Sequence, residues 1–106
     1  MTKTYAFDFD GVIGSTEGTG YESSTPIQEN IDKINTLYYG DNYIKIFTGR
    51  GSVSGINWRT LTEKQLNEWG VRYNQLIMGK PHFDIFIDDH AYNVTDFMEW
   101  DVTNNR

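Results

Sequence analysis

The chain has 106 residues, of which 38% are hydrophobic and 15% aromatic, enough for one domain around a single core and too apolar for a disordered chain. It contains no cysteine, which excludes disulfides, thiolate chemistry and cysteine-bound metals, and no apolar run approaches the roughly 18 residues of a membrane span. A formal net charge of −6 argues against a nucleic-acid backbone as partner, so any phosphorylated substrate has to be drawn in by local charge from a metal or a few cations.

The first element is the run Thr4-Tyr5-Ala6-Phe7-Asp8-Phe9-Asp10-Gly11-Val12-Ile13, which reads as a buried strand ending in acids. Burying Asp8 and Asp10 inside a sheet would cost several kcal/mol each. At the C-terminal end of a parallel strand they face the crevice where open α/β sheets bind ligands. Gly11 then permits a sharp turn. The stretch Gly14 to Gly20 is a loop, expected to form a small flap beside the acid pair.

Thr25-Pro26-Ile27-Gln28 carries two helix-start signals, a capping threonine answered by glutamine and a proline at the first helical position. Ile27, Ile31, Ile34, Leu37 and Tyr38 follow at helical spacing, and Gly40-Asp41-Asn42 closes the helix. Tyr43 to Phe47 is a second strand, running into Thr48-Gly49-Arg50-Gly51-Ser52. A second helix opens at Thr60-Leu61-Thr62-Glu63 or at Thr62-Glu63-Lys64-Gln65, since both fit a capping box. Leu61, Leu66 and Trp69 form its inner face and Gly70 its stop. Gln75 to Met78 is a third strand ending at Gly79-Lys80-Pro81, and Asp84 to Ile87 a fourth, ending at Asp88-Asp89. A short helix over 92–100 and a frayed tail over 101–106 complete the chain.

Strands alternating with helices imply right-handed crossovers and a mostly parallel sheet. All four strand ends then share one edge, which gathers Asp8 and Asp10, Thr48, Lys80, and Asp88 and Asp89. Two acid pairs so close repel by roughly 4 kcal/mol per pair at an effective dielectric of 20. A hard divalent cation relieves this, and carboxylate, water and phosphate oxygens suit magnesium. Lys80 adds a point charge for a phosphate, and Thr48 a hydroxyl and nearby amides. The set points to phosphoryl transfer onto a carboxylate, followed by hydrolysis.

Asp8-Phe9-Asp10-Gly11-Val12, Thr48-Gly49-Arg50, Lys80-Pro81 and Asp88-Asp89 resemble, in order, the four motifs of the haloacid dehalogenase (HAD) superfamily. The run from Trp69-Gly70-Val71 through Met78-Gly79-Lys80-Pro81 to Ile87-Asp88-Asp89 resembles more narrowly its small phosphatases of capsule and polysaccharide biosynthesis. The resemblance implies a single Rossmann-like α/β domain over residues 1–106, a three-layer sandwich with a sheet of about four strands. It also implies a magnesium-dependent phosphatase with Asp8 as nucleophile and Asp10 as general acid/base, acting on a sugar phosphate or related small metabolite. Magnesium would be held by Asp8, the Asp10 main-chain carbonyl and Asp88, with Asp89 orienting the site and Gly11 and Gly49 supporting it. Thr48 and Lys80 would bind the phosphoryl group. Neither slot for a specificity cap has room for one, so the resemblance is to the capless class, in which a large substrate or a second copy of the chain closes the site.

Outside the motifs, Arg50 and Arg59 are candidates to grip the leaving group, or else solvated loop charges. His82 and His90 fit no zinc spacing, and His90 is the better candidate for a substrate contact. Trp58 and Trp69 read as packing residues, and Asn93-Val94-Thr95 as a chance glycosylation triplet, since no signal peptide is expected. The expected setting is the cytoplasm, without membrane partners. Two other classes compete: a phosphate-receiver domain, whose acceptor acid belongs on a middle strand where this chain has Thr48, and a catalytically silent HAD-like binding protein. Among enzymes, a nucleotidase or a polynucleotide 3′-phosphatase is the alternative substrate class.

Overall fold

The computed structural model describes residues 2–104. Its centre is a parallel sheet of β1 (Thr4–Asp8), β4 (Tyr43–Thr48) and β5 (Gln75–Met78), in the order β1-β4-β5. A small antiparallel pair, β2 (Gly14–Ser15) with β3 (Thr25–Pro26), lies between β1 and the first helix. Three helices complete the fold: α1 (Gln28–Tyr39), α2 (Arg59–Glu68) and α3 (Val94–Met98). No helix among the described residues is long and apolar enough to cross a membrane.

Register and burial together assign the two faces of the sheet. Tyr5 pairs with Ile44, Phe7 with Ile46, Ile46 with Leu76 and Thr48 with Met78, so these side chains share one face. That face holds the core, where Phe7, Ile44, Ile46 and Leu76 pack with Ile31, Ile34 and Leu37 of α1, Leu66 of α2 and Phe97 of α3. The opposite face carries Thr4, Ala6, Lys45, Phe47, Gln75 and Ile77, and none of them is buried. Two right-handed crossovers stepping the same way along a sheet stack their helices on one side, which leaves the other side bare. The architecture is therefore a helix layer on a sheet, where three layers were expected.

The strands expected over 43–47 and 75–78 form nearly as read, the run Thr4–Ile13 is a strand only as far as Asp8, and α1 ends at Gly40 as its sequence requires. The helix starts differ. Thr25 and Pro26 join the β2–β3 ribbon, so α1 begins at Gln28 with Ile27 at its cap and no side-chain cap bond. The flap expected over 14–20 thus acquires a two-stranded base. α2 begins at Arg59, ahead of both expected capping boxes, and the Thr62 hydroxyl instead bonds back to the Trp58 carbonyl at 2.7 Å. The tail was expected to fray, yet a 3₁₀ turn over Val102–Asn104 sets Val102 against the core; residues 105 and 106 of that tail lie outside the described residues.

The largest difference is the segment after β5. Residues 84–87 form no strand, and Ile85 and Ile87 stand 80% and 90% exposed. β1 pairs only with β4, so the edge where a fourth strand would add is unpaired by any described strand. Strand propensity is realised only against a pairing neighbour. Amide hydrogen exchange is the direct check: Ile44 and Ile46, central in the sheet, should exchange only on global unfolding, whereas Ile85, Phe86 and Ile87 should exchange within the dead time. Protection of the latter three in the ligand-free protein would contradict this topology.

Candidate functional site

β1 delivers the acids through a tight loop. The Phe9 carbonyl accepts the amides of Val12, Ile13 and Gly14 at 3.2, 2.8 and 3.0 Å, coiling the chain around one oxygen. Gly11 makes the coil possible with φ at +92°, a region closed to most side chains. Phe9 and Ile13 are driven into the core, so Asp8 and Asp10 on either side of Phe9 remain at the sheet edge. β4 and β5 end beside them. The Lys80 amide donates to the Thr48 carbonyl at 3.0 Å and the Ser52 hydroxyl to the Lys80 carbonyl at 2.6 Å, stitching the two strand ends together.

The two carboxylates have different partners. Lys80 Nζ donates to Asp8 Oδ2 at 3.1 Å across 72 residues of sequence, while Asp8 Oδ1 accepts the Phe9 amide at 2.8 Å. The Asp8 side chain keeps 38% of its surface exposed. Asp10 is gripped by Arg50, whose Nε donates to Oδ2 at 2.9 Å and whose Nη2 donates to Oδ1 at 2.8 Å, a bidentate fork. The Thr16 hydroxyl adds a third bond to Oδ1 at 2.6 Å.

Arg50 is the residue whose role the sequence conceals. Its sequence setting suggests a leaving-group clamp or a solvated loop charge, yet its side chain is completely buried. Its Nη1 donates to Thr62 Oγ1 at 3.1 Å and to Gln65 Oε1 at 2.6 Å on α2. The guanidinium lies over the rings of Phe9 and Tyr21, at 4.0 and 4.8 Å from their centroids. Gln65 in turn donates to the Tyr21 carbonyl at 2.6 Å, pinning the flap to α2. The residue thus positions Asp10 and joins three segments.

Asp8, Asp10, Gly49, Arg50 and Lys80 line a cleft of about 760 Å³, within the range of small-ligand sites. The other candidates are placed differently. Thr48 is fully buried and absent from the cleft wall, and its hydroxyl accepts the Arg50 amide at 3.2 Å, so it holds the turn. Arg59 lies on the surface of α2, 3.7 Å from Glu63, and donates to the Leu76 carbonyl. Asp88, Asp89 and His90 form an exposed group outside the cleft, His90 Nδ1 lying 2.9 Å from Asp89. His82, the histidine given less weight, is the one that lines the cleft. Trp58, read as packing, lines it too, with Tyr21, Ile56 and Phe83. The apolar Ile56 and Trp58 just before α2, in a stretch with no strand or helix pattern, were the available signal.

Magnesium prefers several oxygen ligands in near-octahedral array and gives up water reluctantly. Asp8 offers one carboxylate. Both side-chain oxygens of Asp10 are engaged, and Asp88 is not at the cleft. One accessible carboxylate, itself bonded to Lys80 and the Phe9 amide, does not make a magnesium site even with the Asp10 main-chain carbonyl added, so the residues as arranged here do not fit the ion.

Arg50→Lys keeps a charge but loses the fork and at least two of its bonds, leaving Asp10, Thr62 and Gln65 short of donors. The expected cost is about 3 kcal/mol of stability, as for breaking a buried pair, read as a lower urea midpoint at unchanged m-value. A change below about 0.5 kcal/mol would remove Arg50 from its central place.

No protein-family model matches the chain, and no curated protein does either. Among solved structures, a crystal structure of an MCSG structural-genomics target from Vibrio cholerae is similar, with 21% identity and a TM-score of 0.85. The match covers 96% of this chain and 92% of that one. At this identity the likeness speaks for the fold alone, an α/β arrangement with a parallel sheet.

Proposed function

We propose that the chain is a phosphomonoester hydrolase of the HAD type, acting on a small phosphorylated metabolite through a phosphoaspartate on Asp8. The observation that supports this best is the convergence of Asp8, Asp10 and Lys80 on one cleft at the C-terminal ends of parallel strands, with Lys80 Nζ 3.1 Å from Asp8 Oδ2. Asp8 is the freer carboxylate and the better nucleophile. Its oxygen attacks phosphorus and the bond to the ester oxygen breaks; Asp10, once one of its oxygens has left the Arg50 fork and taken up a proton, delivers that proton to the departing alkoxide. Water then attacks the acyl phosphate, Asp10 takes its proton, and Asp8 leaves with inorganic phosphate released. Lys80 offsets the charge of the phosphoryl oxygens throughout. Arg50 fixes where the Asp10 carboxylate stands, which limits the orientational entropy lost at proton transfer.

The magnesium implied by the motifs would need Asp88 beside Asp8. The proposal therefore includes pairing of Asp84–Ile87 with the open edge of β1, giving a four-stranded HAD-like sheet. At a hundredfold excess over its dissociation constant the ion would add about 2.7 kcal/mol. Millimolar magnesium should raise the melting temperature and slow exchange at Ile85 and Ile87 together. If melting and exchange both stay put while hydrolysis survives a chelator, the metal part of the reading is lost.

Asp8→Asn should abolish turnover of every substrate. Asp10→Asn should slow phosphoenzyme formation from an alkyl phosphate by about 10²–10⁴-fold, and much less from p-nitrophenyl phosphate, whose phenolate needs no proton. Hydrolysis of the phosphoenzyme should slow with both, so it accumulates in rapid-quench samples of the aryl ester. Equal first-step losses for the two leaving groups would mean that Asp10 has no acid role.

A further inference from the structure

The same cleft that holds Asp8, Asp10 and Lys80 is lined by apolar and aromatic side chains, among them Tyr21, Ile56, Trp58 and Phe83. Tyr21 and Trp58 meet edge to face, with centroids 5.1 Å apart. The Phe83 ring lies 5.2 Å from Lys80 Nζ, so it stands beside the phosphate end of the cleft. Ile56 and Phe83 are 55% and 38% exposed in the ligand-free chain, apolar surface that a bound group would cover. Polar side chains along the wall are few, mainly Thr19, Ser54 and His82. Arg50 is closed on Asp10, which leaves Lys80 as the cation for a phosphate.

We propose that this wall selects a phosphomonoester whose leaving group carries a planar aromatic ring, and that the substrate class is a nucleoside monophosphate, with the base against Trp58 and Phe83. The inference rests on the phosphatase reading of the same site and narrows it. A flat ring buries both faces on aromatic and aliphatic side chains and asks for only a few hydrogen bonds at its rim. A hexose presents hydroxyls all round, and each one dehydrated against Ile56, Trp58 or Phe83 without a partner costs binding. A single lysine matches a single phosphate, which disfavours diphosphates and polynucleotides, as does the net charge of −6. The cleft volume of about 760 Å³ accommodates a nucleotide.

The experiment compares kcat/KM for adenosine 5′-monophosphate, glucose 6-phosphate and glycerol 3-phosphate in the wild type, Trp58→Leu and Phe83→Leu. Stacking on one aromatic side chain corresponds to about 5- to 150-fold in binding. The nucleotide should lead both other esters by about tenfold or more. Either substitution should lower the ratio of nucleotide to glycerol phosphate by about tenfold, mainly through KM. Phe83 is partly exposed, so its variant tests the wall even if Trp58→Leu fails to fold. Equal or better turnover of glucose 6-phosphate, or a ratio unmoved by the variants, would overturn the inference and leave the phosphatase reading intact. Hydrolysis of none of the three would sink the phosphatase reading instead. Binding of adenosine 5′-monophosphate, followed by tryptophan fluorescence quenching, then decides the wall. Quenching weakened by Phe83→Leu would uphold it, and no quenching would overturn it.

Discussion

The fork between Arg50 and Asp10 holds the functional end of this molecule together. A guanidinium with no solvent-exposed surface forfeits its hydration, and burial of a charge is tolerated only where every donor finds an acceptor. Here the acceptors come from the loop after β1, from the flap and from two positions of α2, one turn apart. Phe9 and Ile13 anchor the loop in the core and Leu66 does the same for α2. The shared cation adds a polar link between segments that packing already holds, so their positions are coupled: displacing one leaves the charge underpaired and disturbs the rest. The rings of Phe9 and Tyr21 sandwich the same group, which ties this polar network to the core.

That coupling separates two acids only two residues apart. Asp10 accepts a planar fork and a hydroxyl, and its carboxylate has little freedom to rotate. Asp8 meets a lysine, a point charge on a flexible stem, and keeps over a third of its side-chain surface exposed. Lysine can follow an incoming phosphate in a way the buried arginine cannot. The same residue type, repeated on either side of Phe9, is thereby suited to two tasks: one carboxylate held in place and one left accessible. In the proposed chemistry these are the proton carrier and the nucleophile.

Three of the four expected strands were legible as β-branched and aromatic runs bounded by glycine and polar residues, whereas the same pattern over 84–87 forms no strand, and α1 was legible because five apolar residues recur at helical spacing. The helix starts were not. Thr25 and Pro26 carry a sound capping signal, yet pairing with Gly14 and Ser15 satisfies their backbone in another way, a contact ten residues back that no local pattern announces. Arg50 misled for a related reason. Next to two glycines at a strand end it looks like a surface charge, and only the arrival of Gln65 and Thr62, more than a turn apart from it in any local reading, makes its burial affordable. Of the residues expected at one edge, Asp8, Asp10 and Lys80 line the cleft, and Thr48, Asp88 and Asp89 do not. The aromatic wall of the cleft was not foreseen, since Tyr21, Trp58 and Phe83 come from three loops that the sheet brings together.

Opposing forces act on the segment 84–89. Ile85 and Ile87 together leave apolar surface exposed whose burial is worth roughly 1.5–3 kcal/mol for each side chain, and the unpaired edge of β1 offers backbone partners. Both favour docking of the segment as a fourth strand. Against this, docking would carry Asp88 and Asp89 to an edge where Asp8 already balances Lys80, and each new close carboxylate pair costs roughly 4 kcal/mol at an effective dielectric of 20. In the proposed four-stranded form, the charge at the cleft would weigh against docking and burial of the two isoleucines for it. On that proposal, a cation or substrate that changes the charge would also change the width of the sheet, and acids that oppose docking would couple closure of the edge to occupation of the site.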